Sequence, residues 1–206
     1  MRLALRFFAC VCVLCVSVVV AADPITYTFA GTATGIAGTQ AFTLTPFVIV
    51  VSSDTSTITQ SAGPGIFTTG LSAATIDIMG VGSGTFTTPK LVFDNQNLGL
   101  LGLSDQTSGD LLDLSNAGFS TYDLSTSYGP VTDPAPTTPE FQNIASSLGP
   151  ISFDTAINTT FTASKTSGGG VPEASSVVLL GSMCLGGVSA LYVLRRLRGS
   201  APDIPT

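Results

Sequence analysis

Aspartates gather between Asp94 and Asp113, and their type and spacing raise the first question of chemistry. Hard carboxylate oxygens crowded on one loop are what Ca2+ takes up, so Asp105, Asp110 and Asp113 form a candidate calcium site, with Asp94 nearby in sequence. Their spacing departs from the EF-hand pattern. Asp110 ahead of Leu111 reads equally well as a cap, and Asp105 as a turn residue. Tyr122 and Tyr128 are the candidate ligand-binding residues, because sugars stack on aromatic faces and the chain has no tryptophan. Tyr27 alternates with its neighbours like a core residue. The competing role for Tyr122 and Tyr128 is aromatic packing at one end of the fold. Asn158-Thr159-Thr160 has the N-glycosylation pattern on an outward face. The chain contains no histidine, which excludes histidine-dependent serine or cysteine triads and histidine-ligated metals. Glu140 is the sole glutamate between residues 23 and 165, in a proline-rich stretch, so paired-carboxylate hydrolysis has little to build on. No catalytic residue is assigned, no cofactor is expected beyond that calcium, and the reading is non-enzymatic.

The elements that must position these residues are strands. In "ITYTFAGT" the residues Ile25, Tyr27 and Phe29 alternate with threonines, a period of two with one buried face. The same alternation recurs at Thr75-Ile76-Asp77-Ile78 and Ile151-Ser152-Phe153-Asp154. In "AINTTFTASK" it puts Ile157, Thr159, Phe161 and Ala163 on one face. "PFVIVV", Pro46 to Val51, is a continuous apolar run that suits a strand covered on both sides. Leu111, Leu112 and Leu114 fit one short helical turn or a strand over the core. Gly129 to Pro139 is proline-rich and reads as an exposed loop at one end. Short spacings of Gly, Ser, Thr and Asn separate these runs. The expected fold is all-β: a single antiparallel β-sandwich, jelly-roll-like in its winding.

Residues 23–165 carry eleven acidic side chains against Lys90 and Lys165, a net charge of −9. Such a surface repels nucleic acid and anionic lipid. All four cysteines lie outside this segment, so disulfides do not hold it together.

Both ends of the chain differ from the middle. Arg2 and Arg6 precede an apolar run from Phe7 to Val20 and the small residues Ala21-Ala22, the three parts of a secretory signal peptide, with cleavage expected between Ala22 and Asp23. Cys10, Cys12 and Cys15 lack the preceding residues that lipid attachment needs. Val177 to Leu194 is a charge-free run of 18 residues, at the lower end of what spans a bilayer as a helix. Arg195, Arg196 and Arg198 follow, and the positive-inside rule places them in the cytoplasm with residues 23–165 outside. The expected organisation is a signal peptide (1–22), an exported domain (23–165), a flexible stalk (166–176), a transmembrane helix (177–194) and a basic tail (195–206). The apolar run is followed by "RRLRGSAPDIPT", unlike a GPI signal.

Val171-Pro172-Glu173, the apolar run and the arginine cluster, in that order, resemble the PEP-CTERM sorting domain of bacterial exported proteins. Ala174 stands where that family has a second proline. The resemblance implies recognition by exosortase, a membrane protease-transpeptidase that cuts near the box; signal peptidase, from the N-terminal segment, and exopolysaccharide are the other expected partners. The box has its own physical sense: Pro172 donates no hydrogen bond and keeps Val171 extended, and Glu173 presents a single charge at the interface. The segments "TYTFAGTATG", "DLLDLSNAGFSTYDLSTSYGPVT" and "SLGPISFDTAINTTFTA" are similar to exported domains found ahead of such tails, with no activity to carry over. The resemblance implies a non-catalytic surface or matrix protein. A membrane-tethered adhesion or carbohydrate-binding module is the alternative.

Overall fold

The computed structural model describes residues 23–60, 63–105, 109–133 and 141–166. The chain divides into two compact units, Met1–Gly168 and Gly169–Thr206, and every described residue belongs to the first. Expectations for residues 1–22 and 167–206, and for 134–139 of the proline-rich stretch, therefore fall outside the described residues.

The first strand follows the threonine alternation. β1 (Pro24–Ala37) buries Ile25, Tyr27 and Phe29 and turns its threonines outward. It pairs on one side with β2 (Gln40–Asp54) and on the other with β11 (Ile151–Lys165), both antiparallel. With β5 (Ala74–Ile78), β6 (Gly82–Thr85) and β10 (Tyr128–Asp133) they form a six-stranded sheet in the order β10-β11-β1-β2-β5-β6. A second sheet runs β3 (Thr59–Gln60), β4 (Ile66–Thr68), β7 (Leu91–Asn95), β8 (Leu100–Asp105) and β9 (Gly109–Ser115). All pairings are antiparallel, and one hydrophobic core draws on both sheets. Among the described residues the helical elements are two 3-10 turns, Thr55–Thr57 and Ala117–Thr121. The all-β expectation holds. The winding differs from a jelly roll: strands adjacent in sequence pair as hairpins within one sheet, as β1-β2, β5-β6, β7-β8-β9 and β10-β11 do.

β11 carries an aromatic cluster at each end. Phe161 meets Tyr27, Phe29, Phe119 and Tyr122 at ring-centroid distances of 5.3–6.2 Å. Phe153 stacks on Phe141 at 4.4 Å and touches Phe42 and Phe47. Burying each such ring is worth about 1.5–3 kcal/mol, and offset or edge contacts add to that.

Three sequence expectations are corrected here. First, Ile157 does not share the inward face with Thr159, Phe161 and Ala163. Between the Ala30–Thr160 and Thr32–Ile157 pairs β11 carries one more residue than β1, and Asn158 adopts φ 52° in this bulge. The extra residue reverses the phase, so Ala156 points inward and Ile157 is half-buried. Second, "PFVIVV" is covered on one face only. Phe47, Ile49 and Val51 are buried while Val48 remains exposed, because among the described residues no layer covers the outer face of the six-stranded sheet there. Third, Tyr128–Asp133 is a strand rather than loop. It lies at the sheet edge, and Pro130 sits where the pairing with β11 is interrupted, between Tyr128 and Val131, so no ladder hydrogen bond is needed from it. Of the two roles open to Leu111, Leu112 and Leu114, the strand is adopted, as β9.

Candidate functional site

The inward face of the β7-β8 hairpin holds the most unusual chemistry in the described residues. β7 turns Val92 and Asp94 toward the core, with Lys90 one alternation earlier, and all three are fully buried. On β8, Leu103 stands opposite Val92 and Leu101 opposite Asp94. One position beyond the Leu91–Ser104 pair, Asp105 meets Lys90, Nζ to Oδ2 at 3.2 Å. Lys90 Nζ also donates to the Thr88 carbonyl at 2.9 Å and to Thr88 Oγ1 at 2.6 Å, and it lies 4.8 Å from the centroid of the Phe86 ring. Burial lowers the Lys90 pKa, and the hydrogen bond and charge of Asp105 oppose that shift.

Asp94 lies four residues farther along, about 13 Å at the rise of an extended strand, so the one interior lysine does not serve it. Among the described residues no hydrogen-bond partner reaches either carboxylate oxygen. Burial, and secondarily the charge of Asp123, push its pKa up to about 7. Asp123 is held by its own turn, Oδ1 accepting from Ser125 N and Oγ.

The candidate calcium ligands are not brought together. Asp105 points between the sheets and is engaged by Lys90. Asp113 pairs across from Gly102, whose neighbours Leu101 and Leu103 face inward, so it lies on the opposite face of the sheet. Asp110 is exposed near the start of β9, beyond the bulge that separates the Leu103–Leu112 and Ser104–Asp110 pairs. The physical reason is the strand pairing: Asp105 faces inward, whereas Asp110 and Asp113 pair with Ser104 and Gly102 on the outer face, the bulge offsetting their odd spacing. Among the described residues no group of three acidic, histidine or cysteine side chains is placed to hold a metal ion.

The two tyrosines do come together, but as packing. Tyr122 is buried and Tyr128 half-buried, with their rings stacked at 4.5 Å. Tyr122 Oη donates to the Thr126 carbonyl at 2.9 Å, and Tyr27 Oη to the Leu124 carbonyl at 2.8 Å. Burial, chiefly, raises the pKa of both phenols. Tyr122 therefore offers no open face to a sugar, and Gln96 Nε2 pins its carbonyl at 2.8 Å. Asn158 is exposed on its bulge, while Thr160 of the same motif shares a 2.7 Å hydrogen bond with Thr132. Glu140 lies outside the described residues.

Asp23 forms an ion pair with Lys165 at 2.9 Å, and Thr166 N donates to the Pro24 carbonyl at 3.0 Å. Both ends of the described domain thus leave from neighbouring strands at one end of the six-stranded sheet.

A groove of about 420 Å3 lies on the outer face of that sheet, where among the described residues no second layer covers Val48 and Val50. Hydroxyls of Thr75, Ser83, Thr85 and Ser147 border it, with the carboxylate of Asp77, which accepts from Ser83 Oγ. The sequence reading missed this groove, the Lys90–Asp105 contact and the isolation of Asp94. Two of the three had a signal: a lysine two residues before Val92 and an aspartate two residues after it share that valine's face in any strand. The groove had none, since Ser147 reaches it from a distant loop.

Comparisons of the chain with protein-family models, with curated proteins and with solved structures found no match.

Proposed function

We propose that this chain is a non-catalytic exported protein of the bacterial surface or extracellular matrix, whose tail is a sorting signal for an exosortase-like protease-transpeptidase. The observation that carries this reading is the order of three elements in the sequence: Val171-Pro172-Glu173, the 18-residue apolar run, and Arg195, Arg196 and Arg198. The domain's geometry is consistent with such handling. Asp23, the first residue after the expected signal-peptide cut, pairs with Lys165, where the stalk begins. Six residues, 166–171, reach at most about 20 Å, so a chain held by its C-terminal segment would be confined close to the membrane. Cutting near Pro172 releases the domain from that confinement. The test is the intact mass of the protein recovered from the cell surface and from the medium. A C-terminus at Val171 to Glu173 supports the reading, and a tail intact to Thr206 in both fractions overturns it.

A second reading, a tethered carbohydrate-binding module, is favoured by the groove beside Asp77. Four hydroxyls, one carboxylate and a floor of two valines make a surface suited to a polyol. Binding of neutral exopolysaccharide that is lost in Asp77→Ala would support it. Equal binding by the two proteins would remove it.

A further inference from the structure

We propose that Lys90 and Asp105 condense into an intramolecular isopeptide bond joining Nζ to Cγ, a covalent staple between β7 and β8.

The two reacting groups are already in contact and dry. Nζ and Oδ2 are 3.2 Å apart, and the side chains are 0% and 2% exposed. Lys90 immediately precedes β7 and bridges to Ser72, and Asp105 ends β8, each one position beyond the paired Leu91 and Ser104, so the adjoining ladder holds the approach in place. Fixing two reactants at contact distance turns a bimolecular condensation into a unimolecular one with a very high effective concentration. The same burial acts on the charges. An ammonium and a carboxylate taken out of water are costly, and a desolvated pair is driven toward amine and acid, the two forms that react. Burial shifts the Lys90 amine in that direction.

Thr88 supplies the path for the protons. Its Oγ1 is 2.6 Å from Lys90 Nζ and donates to Asp105 Oδ2 at 3.4 Å, so one hydroxyl bridges both partners. A proton passes from Nζ through Thr88 Oγ1 to Oδ2, leaving a neutral amine and a neutral acid. The Nζ lone pair then attacks Cγ and the Nζ–Cγ bond forms. A second Nζ proton moves by the same route to the Oδ2 hydroxyl, the Cγ–Oδ2 bond breaks, and water leaves. Ammonium plus carboxylate becomes amide plus water, with no oxidant or other reactant. The remaining amide N–H keeps its donor role toward the Thr88 carbonyl, now 2.9 Å from Nζ. The Phe86 ring, 4.8 Å from Nζ, lines the site and excludes the water that would reverse the reaction. Residues 23–165 contain no cysteine, so this link gives an exported domain a cross-link that needs no disulfide.

The test is mass spectrometry of the folded full chain after denaturation. The expected result is a linked peptide one water lighter than its sequence, joining Lys90 to Asp105. Trypsin should then leave the Lys90–Leu91 bond intact while still cutting after Lys165. In Asp105→Asn the same attack expels ammonia, so its linked peptide should be one ammonia lighter than sequence. Asp105→Ala should restore the full mass and cleavage after Lys90. The wild-type chain alone decides the matter if a variant fails to fold. A wild-type Lys90–Asp105 region of full mass, or a lost water that maps elsewhere while trypsin cuts after Lys90, overturns the proposal.

Discussion

Asp94→Asn isolates the energetic consequence of a carboxyl group buried without a cation. Raising this group from an ordinary 3.8 to about 7 corresponds to about 4 kcal/mol, at about 1.4 kcal/mol per tenfold change in proton affinity. The folded state holds a proton that the unfolded chain releases. The stabilisation is therefore fully present below about pH 3.8, declines as pH rises toward about 7, and is absent above that. This is the reverse of the slope given by a salt-bridged carboxylate. Asparagine has nearly the same shape and no titration, so the wild-type minus variant difference removes the background of the other acidic groups. That difference should change by about 4 kcal/mol between about pH 4 and pH 8, to the disadvantage of the wild type at the higher pH. The neutral amide still lacks partners, at a cost of about 1–3 kcal/mol that does not vary with pH. The assay is urea unfolding followed by far-UV circular dichroism, since the chain has no tryptophan. Parallel profiles, with a difference constant to within about 0.5 kcal/mol, would refute the reasoning. They would mean that Asp94 is ionised in the fold or has found a partner.

Phe161→Ala removes the ring shared by Tyr27, Phe29, Phe119 and Tyr122. It should cost about 3–5 kcal/mol, read as a lower urea midpoint at unchanged slope. Gly35→Ala drives a methyl group into the Ser152 carbonyl across the strand pair, and should lose about 1–3 kcal/mol in the same assay. Gly63→Ala meets nothing within 4 Å and is the neutral control. Replacing Arg195, Arg196 and Arg198 by glutamine should let the tail segment slip through or misorient, measured by membrane fractionation and protease access. Unchanged retention and orientation would count against the proposed topology.

The all-β character was legible because strand residues must alternate. Ile25-Tyr27-Phe29 and Ala74-Ile76-Ile78 each show a period of two, and each face is buried as that period requires. Alternation is local, so it fails wherever one extra residue enters a strand. Asn158 reverses the faces of β11, and no feature of "AINTTFTASK" taken alone says where β1 will force that insertion. The "PFVIVV" run reads as a strand, but how many layers cover it depends on what packs there.

The sequence by itself determined composition-level chemistry and punctuation. The absence of histidine and the cysteine-free acidic segment follow from it, as do the basic and apolar pattern at the two ends and the strand periodicity. The tertiary structure decided which charges meet. Asp105, Asp110 and Asp113 look like neighbours in the chain, yet strand pairing turns Asp105 inward to Lys90 and leaves Asp110 and Asp113 on the outer face. Asp94 shares the inward face of Lys90, but the strand sets it too far along to share the charge. Distances of a few ångströms in a dry core decide protonation and reactivity, and these are fixed only when separate strands are laid side by side.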